Sequence, residues 1–177
     1  MKLLIKKITC VILILCSYCS YGEAKIQLPS ILGNGMVLQQ KSEVKLWGKA
    51  TPNKKVVVYT SWNAQQQEVD SNQKGDWSVA VTTPEAGGPY TIRISDGEEL
   101  ILDDVLIGEV WLCSGQSNME WGIKVRKEYA DDIAHSEDSL LRLFFVPKNT
   151  SLQPLSEIEI PQGTASPERA ARWVLCT

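Results

Sequence analysis

Between Ile26 and Asp104 the chain is written in short apolar runs separated by turn signals, and that spacing limits the fold more than any other feature. Trp77, Val79 and Val81 fall on every second position, as do Tyr90, Ile92 and Ile94. Val44, Leu46 and Trp47 form another short run, Val56-Val57-Val58-Tyr59 a further one, and Leu100-Ile101-Leu102 closes the set. A two-residue period puts alternate side chains on one face, which suits a sheet buried on one side. Clusters that favour turns lie between the runs: Gly33-Asn34-Gly35, Thr51-Pro52-Asn53, Lys74-Gly75-Asp76, Gly87-Gly88-Pro89 and Asp96-Gly97. Short strands punctuated about every 8–12 residues predict a sandwich or barrel. The stretch 23–104 is long enough for a core of its own, and we expect a β-sandwich-like domain there. Trp47 and Trp77 sit in strand patterns and are expected in the core, whereas Trp62, beside Ser61, Asn63 and a glutamine run, reads as exposed.

From Val105 the pattern changes. Val105-Leu106-Ile107 and Val110-Trp111-Leu112-Cys113 are continuous apolar runs, as expected for strands covered on both faces; Trp111 is then a core residue. Val125 to His135 spaces Val125, Tyr129 and Ile133 among charges, which predicts an amphipathic helix. Leu141-Arg142-Leu143-Phe144-Phe145-Val146 reads as a strand stopped by Pro147. Strand, helix and strand make one βαβ unit, and doubly wound sheets need several. Residues 105–177 are therefore expected to be the start of an α/β domain, left incomplete.

The N-terminus has the layout of a secretory signal. Lys2, Lys6 and Lys7 precede the apolar run Ile8 to Leu15, and small residues follow near Gly22. That run is short of the ~20 residues a membrane span needs, so 1–22 is expected to be a cleaved signal peptide and the protein exported to the periplasm or beyond. Of the five cysteines, Cys10, Cys16 and Cys19 would leave with the signal, and only Cys113 and Cys176 would remain. One disulfide is allowed in an exported protein, but Cys113 at the end of a buried strand reads better as a packed free thiol. The net charge is −3, with no basic run after the signal, so nucleic-acid binding has no electrostatic footprint. No His, Cys, Asp or Glu group has metal-ligand spacing, and no cofactor motif is found.

The stretch that carries chemistry is Gly108-Glu109-Val110-Trp111-Leu112-Cys113-Ser114-Gly115-Gln116-Ser117-Asn118-Met119-Glu120-Trp121. An apolar strand stops at a small polar turn bearing Ser117, and open α/β sheets hold ligands beyond the carboxyl ends of their strands. A serine hydroxyl needs a base to accept its proton, and the oxyanion needs donors where charge develops. Gly115 permits close approach, and backbone N–H groups after it can face an anion. Gln116 and Asn118 are candidates for substrate contact or for pinning the turn, and Trp121 is a candidate pocket wall. Ser117-Asn118-Met119-Glu120 also fits a capping box, in which the serine only satisfies amides at a helix start. Asp132-Ile133-Ala134-His135 contains the only histidine and matches Asp-x-x-His literally. It lies on the helix leading away from the turn, and among Asp131, Asp132, Glu137 and Asp138 it reads as a solvated helix-end residue.

The fourteen-residue block resembles the first block of SGNH/GDSL-type hydrolases, in the Gly-Gln-Ser-Asn-Met form of sialate O-acetylesterases. Leu28-Pro29-Ser30-Ile31-Leu32, Gly35-Met36-Val37-Leu38-Gln39 and Val44-Lys45-Leu46-Trp47-Gly48 resemble the opening β-domain of bacterial proteins of that type. Asp104 to Trp111 resembles the entry into their catalytic domain, and Arg142-Leu143-Phe144 with Pro147 the next strand and its end. The resemblance implies a flavodoxin-like α/β domain, and Ser117 as nucleophile with its own N–H toward the oxyanion. It also implies O-acetylated carbohydrate as substrate, either sialic acid or plant polysaccharide such as xylan. The family's later oxyanion residues and its histidine base find no counterpart in these residues. The alternative is an inactive fragment whose β-domain serves at most in carbohydrate binding.

Overall fold

The computed structural model describes residues 26–120, 122, 126–164 and 168–176. The signal-like residues 1–22 lie outside them, as do Trp121 and Val125.

Seven strands build the β unit: β1 (Val37–Gln39), β2 (Glu43–Lys49), β3 (Lys55–Thr60), β4 (Gln65–Asp70), β5 (Asp76–Thr82), β6 (Gly87–Ser95) and β7 (Glu99–Gly108). Five of them form one sheet in the order β1-β7-β6-β3-β4, and β2 pairs with β5. The β1–β7 pair is parallel and the remaining ladders are antiparallel. The apolar runs read in the sequence supply the core: Leu46, Trp77 and Val81 from the pair join Val56, Val58, Ile92, Ile94, Leu102 and Val105 from the larger sheet. Met36 and Leu38 belong to the same cluster.

Period two also corrects one expectation. With Leu46 turned inward, Trp47 must face out, and it is 38% exposed. Trp62 moves the other way. It packs partly against the core, donates its indole N–H to Thr82 O at 2.9 Å, and meets Tyr90 edge-on at 5.8 Å. The polar strand β4 carries no sequence signal; as the sheet's outer strand it needs only Val69 to touch the core, and the ladder with β3 does the rest.

The strand β7 joins two runs that look separate in the sequence, and it crosses the boundary expected at 104. Ile92 pairs with Leu102 and Tyr90 with Val105, so Asp103 and Asp104 oppose Thr91 alone. This is a bulge, and Asp104 takes a φ of 56° there. The extra residue resets the alternation, so Leu102 and Val105 both face the core. Gly87-Gly88-Pro89 is likewise not a turn: it opens β6, with a second register shift before Tyr90. At the β4–β5 connection Gly75 does meet a glycine requirement, with φ of 80° and a would-be Cβ 2.4 Å from Ala50 O.

Beyond Gly108 the expected strand Val110–Cys113 is not formed. The ladders of β7 with β1 and β6 end at Gly108 and Ile107, and no further strand runs beside Val110–Cys113 among the described residues. The apolar run is left unpaired, with Val110, Trp111 and Leu112 46%, 81% and 91% exposed. Cys113 is an exposed free thiol rather than a packed one, and Cys176 is a half-buried free thiol donating toward Ser136 O. The expected helix shortens to a 3-10 turn (Lys127–Tyr129) and α1 (Ala130–Ala134), with no buried side chain.

The strand expected near 141–146 exists as β8 (Asp138–Phe144). It pairs antiparallel with β9 (Trp173–Cys176), so no parallel βαβ pairing occurs among the described residues. Polar contacts fasten this hairpin region to the β unit. The buried Arg142 guanidinium reaches both Asp104 carboxylate oxygens at 3.1 and 3.2 Å. Trp173 donates to Ile31 O at 2.8 Å while its ring lies against Phe144. The Ser30 backbone N–H and hydroxyl both donate to Glu157.

Candidate functional site

The serine turn hangs from the end of β7, and what fixes it there is polar. At Gly108 the backbone leaves the ladder, and the next carboxylate, Glu109, meets two side-chain amides from β1 and the residue after it. Gln39 Nε2 donates to Glu109 Oε2 at 3.0 Å, and Gln40 Nε2 donates to Oε1 at 2.7 Å. Each glutamine then uses its carbonyl oxygen on a backbone amide. Gln39 Oε1 accepts from Val110 N at 3.0 Å, and Gln40 Oε1 accepts from Ala86 N at 3.0 Å. These donations hold the Glu109 carboxyl below the usual glutamate range, Gln40 contributing most and Gln39 next.

From that anchor the chain runs exposed through Ser114 to a 3-10 turn, Ser117–Glu120. Met119 N donates to Gln116 O at 2.9 Å and closes the turn. Gly115 allows it to pack closely, since a Cβ there would come 2.8 Å from Met119 Cγ. Gln116, Ser117 and Asn118 are all exposed, within three consecutive positions of one turn. Trp121 lies outside the described residues. Ser117 begins a single 3-10 turn rather than a sustained α-helix, so a capping box has little helix to cap.

His135 sits away from this chemistry in its bonding. It ends α1, and its Nδ1 lies 2.7 Å from Asp131 O. Among the described residues no group of His, Cys, Asp and Glu could hold a metal ion, and no helix is long and apolar enough to cross a membrane. A groove of about 330 Å³ between the hairpin region and the β unit is lined by Pro29, Ile31, Trp47, Pro147, Asn149 and Glu157 among others, and it does not include Ser117.

The clamp of Gln39, Gln40 and Glu109 is what the sequence left unread. There Glu109 reads only as the opening of a strand, and its partners lie 70 and 69 positions away. The visible signal was two adjacent amide side chains ending an apolar run, Met36-Val37-Leu38-Gln39-Gln40.

No family model matches the chain. It is 30% identical to the sialate O-acetylesterase of Mus musculus over 74% of this chain and 27% of that protein. It is 28% identical to the sialate O-acetylesterase of Homo sapiens over 74% of this chain and 28% of that protein. Among solved structures it is similar to a carbohydrate acetylesterase from Xanthomonas citri, with a TM-score of 0.73 and 34% identity over 86% of this chain and 33% of that one. The chain thus spans about a quarter of the length of these curated relatives.

Proposed function

We propose that this chain, a relative of the sialate O-acetylesterases, carries the nucleophile of an exported carbohydrate O-acetylesterase. The observation that supports this most is the exposure of Ser117 at the start of a tight turn, held by Gly115 and Met119 and flanked by Gln116 and Asn118. In this reading Ser117 Oγ bonds to the acetyl carbon and its proton passes to a base, while the oxyanion takes a hydrogen bond from the Ser117 backbone N–H. The bond from the acetyl carbon to the sugar oxygen then breaks, and the sugar leaves as an alcohol with the base's proton. Water attacks the acetyl-serine, and acetate is released. Gln116 and Asn118 bind substrate; Trp121 is the proposed wall of the pocket. O-acetylated sialic acid and acetylated plant polysaccharide are the two substrate classes. Residues 1–22 act as the export signal.

The α/β reading of 105–177 draws support from the apolar surface there. Val110, Trp111 and Leu112, and Leu140, Leu141, Leu143 and Phe145 on and after β8, are each exposed, and runs of exposed large apolar side chains call for cover. In this reading strands of an SGNH-type sheet cover that surface.

One observation favours a second reading, a catalytically silent chain. The only histidine, His135, ends a short helix with its Nδ1 2.7 Å from Asp131 O, and no hydrogen bond joins it to Ser117 among the described residues. The two readings separate by rate. The 177-residue chain is expected to hydrolyse p-nitrophenyl acetate no faster than its Ser117→Ala variant. Robust hydrolysis lost in Ser117→Ala would reject the silent reading and show that a proton acceptor is present.

A further inference from the structure

We propose that Glu109, Gln39 and Gln40 form a positioning clamp that sets the path of the serine turn. The inference rests on Ser117 being the nucleophile, but its geometry stands apart from that reading. The base of the clamp is firm. Gln39 ends β1, which is laddered in parallel to β7, and its carbonyl accepts from Thr83 Oγ1 at 2.7 Å and Ser42 Oγ at 3.0 Å. Thr83 is itself buried. Gln40 N closes the pair by donating to Gly108 O at 2.8 Å. Beyond Gly108 there is no ladder to direct the chain among the described residues, and the backbone amide of Val110 donates instead to the Gln39 side chain.

The hydrogen-bond inventory makes the arrangement nearly unique. Each glutamine spends its carbonyl on a backbone N–H, which fixes its amide to point its NH₂ at Glu109. Glu109 must therefore accept twice, and only a carboxylate can do so with both oxygens. An amide at this position would set one NH₂ against another. To relieve that clash one glutamine must flip, and the flip releases either Val110 N or Ala86 N. Charge-assisted bonds of this kind are the stronger class. Nothing in the block Gly108–Trp121 alone shows this, because two of the three groups belong to β1 and its end.

The test uses the chain as it is, by amide hydrogen exchange followed residue by residue. In Glu109→Gln, Val110 or Ala86 is expected to exchange roughly tenfold faster or more, and Met119 in the serine turn to follow. Ile92 and Val58 in the core should keep their protection. The double variant Glu109→Gln with Gln40→Glu reverses one donor–acceptor pair and retains every bond. The amide introduced on β7's end then accepts from Gln39 and donates to the carboxylate introduced after β1, whose second oxygen still serves Ala86 N. The double variant should restore wild-type protection at Val110, Ala86 and Met119. Unchanged exchange at Val110 and Ala86 in the single variant would overturn the clamp. So would an acceleration spread equally over the core, or a failure of the double variant to rescue. None of these readouts needs ester hydrolysis, so a clamp that holds beside an inert Ser117 would count against the nucleophile reading alone.

Discussion

Ile92→Ala should lower the stability of the β unit by about 2–5 kcal/mol, the range for emptying a fully buried aliphatic site. Ile92 is 0% exposed and sits at the centre of the larger sheet, opposite Thr60 on β3 and Leu102 on β7. Both neighbouring strands are laddered on their far sides, β3 to β4 and β7 to β1, so the backbone has little room to collapse into the void. A domain of this size moves its midpoint by about 4–8 °C per kcal/mol. A fall of some ten degrees or more is thus expected in a thermal melt. Ile101→Ala is the matched control: it lies one residue from Leu102 on the opposite face, 44% exposed, and should cost within about 0.5 kcal/mol. Equal shifts in the two variants would mean that the inward face of β6 and β7 has been assigned wrongly.

Trp173→Ala should act on another part of the molecule. The indole of Trp173 joins the hairpin of β8 and β9 to the β unit through its bond to Ile31 O, its contact with Phe144 and its packing on the core. Loss of a half-buried tryptophan with its hydrogen bond should cost about 2–3 kcal/mol, and most of that cost should be local. Arg142–Asp104 and the Glu157 contacts to Ser30 remain; the Glu157 contacts are exposed and worth little singly, and the buried Arg142 is paired with a half-exposed Asp104. The expected result is rapid proteolysis within 138–176 with the melting of the β unit little changed. Trp173→Phe, which keeps a ring and drops the N–H, should fall between. Cleavage at the wild-type rate in Trp173→Ala would show that the hairpin is held by other contacts.

How far the sequence could be read follows from which forces were local. Strands β5 and β6 were legible because each carries its own alternation, and the face it buries is the face that alternation names; β2 and β3 were legible as short apolar runs between turn signals. Trp47 was misplaced for want of the same rule, since it neighbours Leu46 and cannot share its face. Strand β4 could not be seen, because Gln65, Gln66, Gln67 and Glu68 owe their conformation to hydrogen bonds from β3 rather than to burial. The single long strand β7 was split by Asp103 and Asp104, whose bulge exists only against Thr91. Val110–Cys113 shows the opposite failure: its composition suits a covered strand, but a strand also needs a neighbour, and none lies beside it among the described residues. At the site, Ser117 and its turn were legible as a contiguous block. Glu109 was not, since its partners are far away in the chain and are brought near only by the parallel pairing of β1 with β7.

Acetyl transfer to Ser117 itself is the measurement that tests the proposed function most directly. The chain is incubated with p-nitrophenyl acetate and with imidazole as an external proton acceptor, and its peptides are mapped by mass. The expected result is an acetyl group on Ser117 well in excess of that on the exposed Ser114 and Ser139. Acetylation spread evenly over the three serines would mean that the turn does nothing to favour its hydroxyl, and the nucleophile assignment would be contradicted.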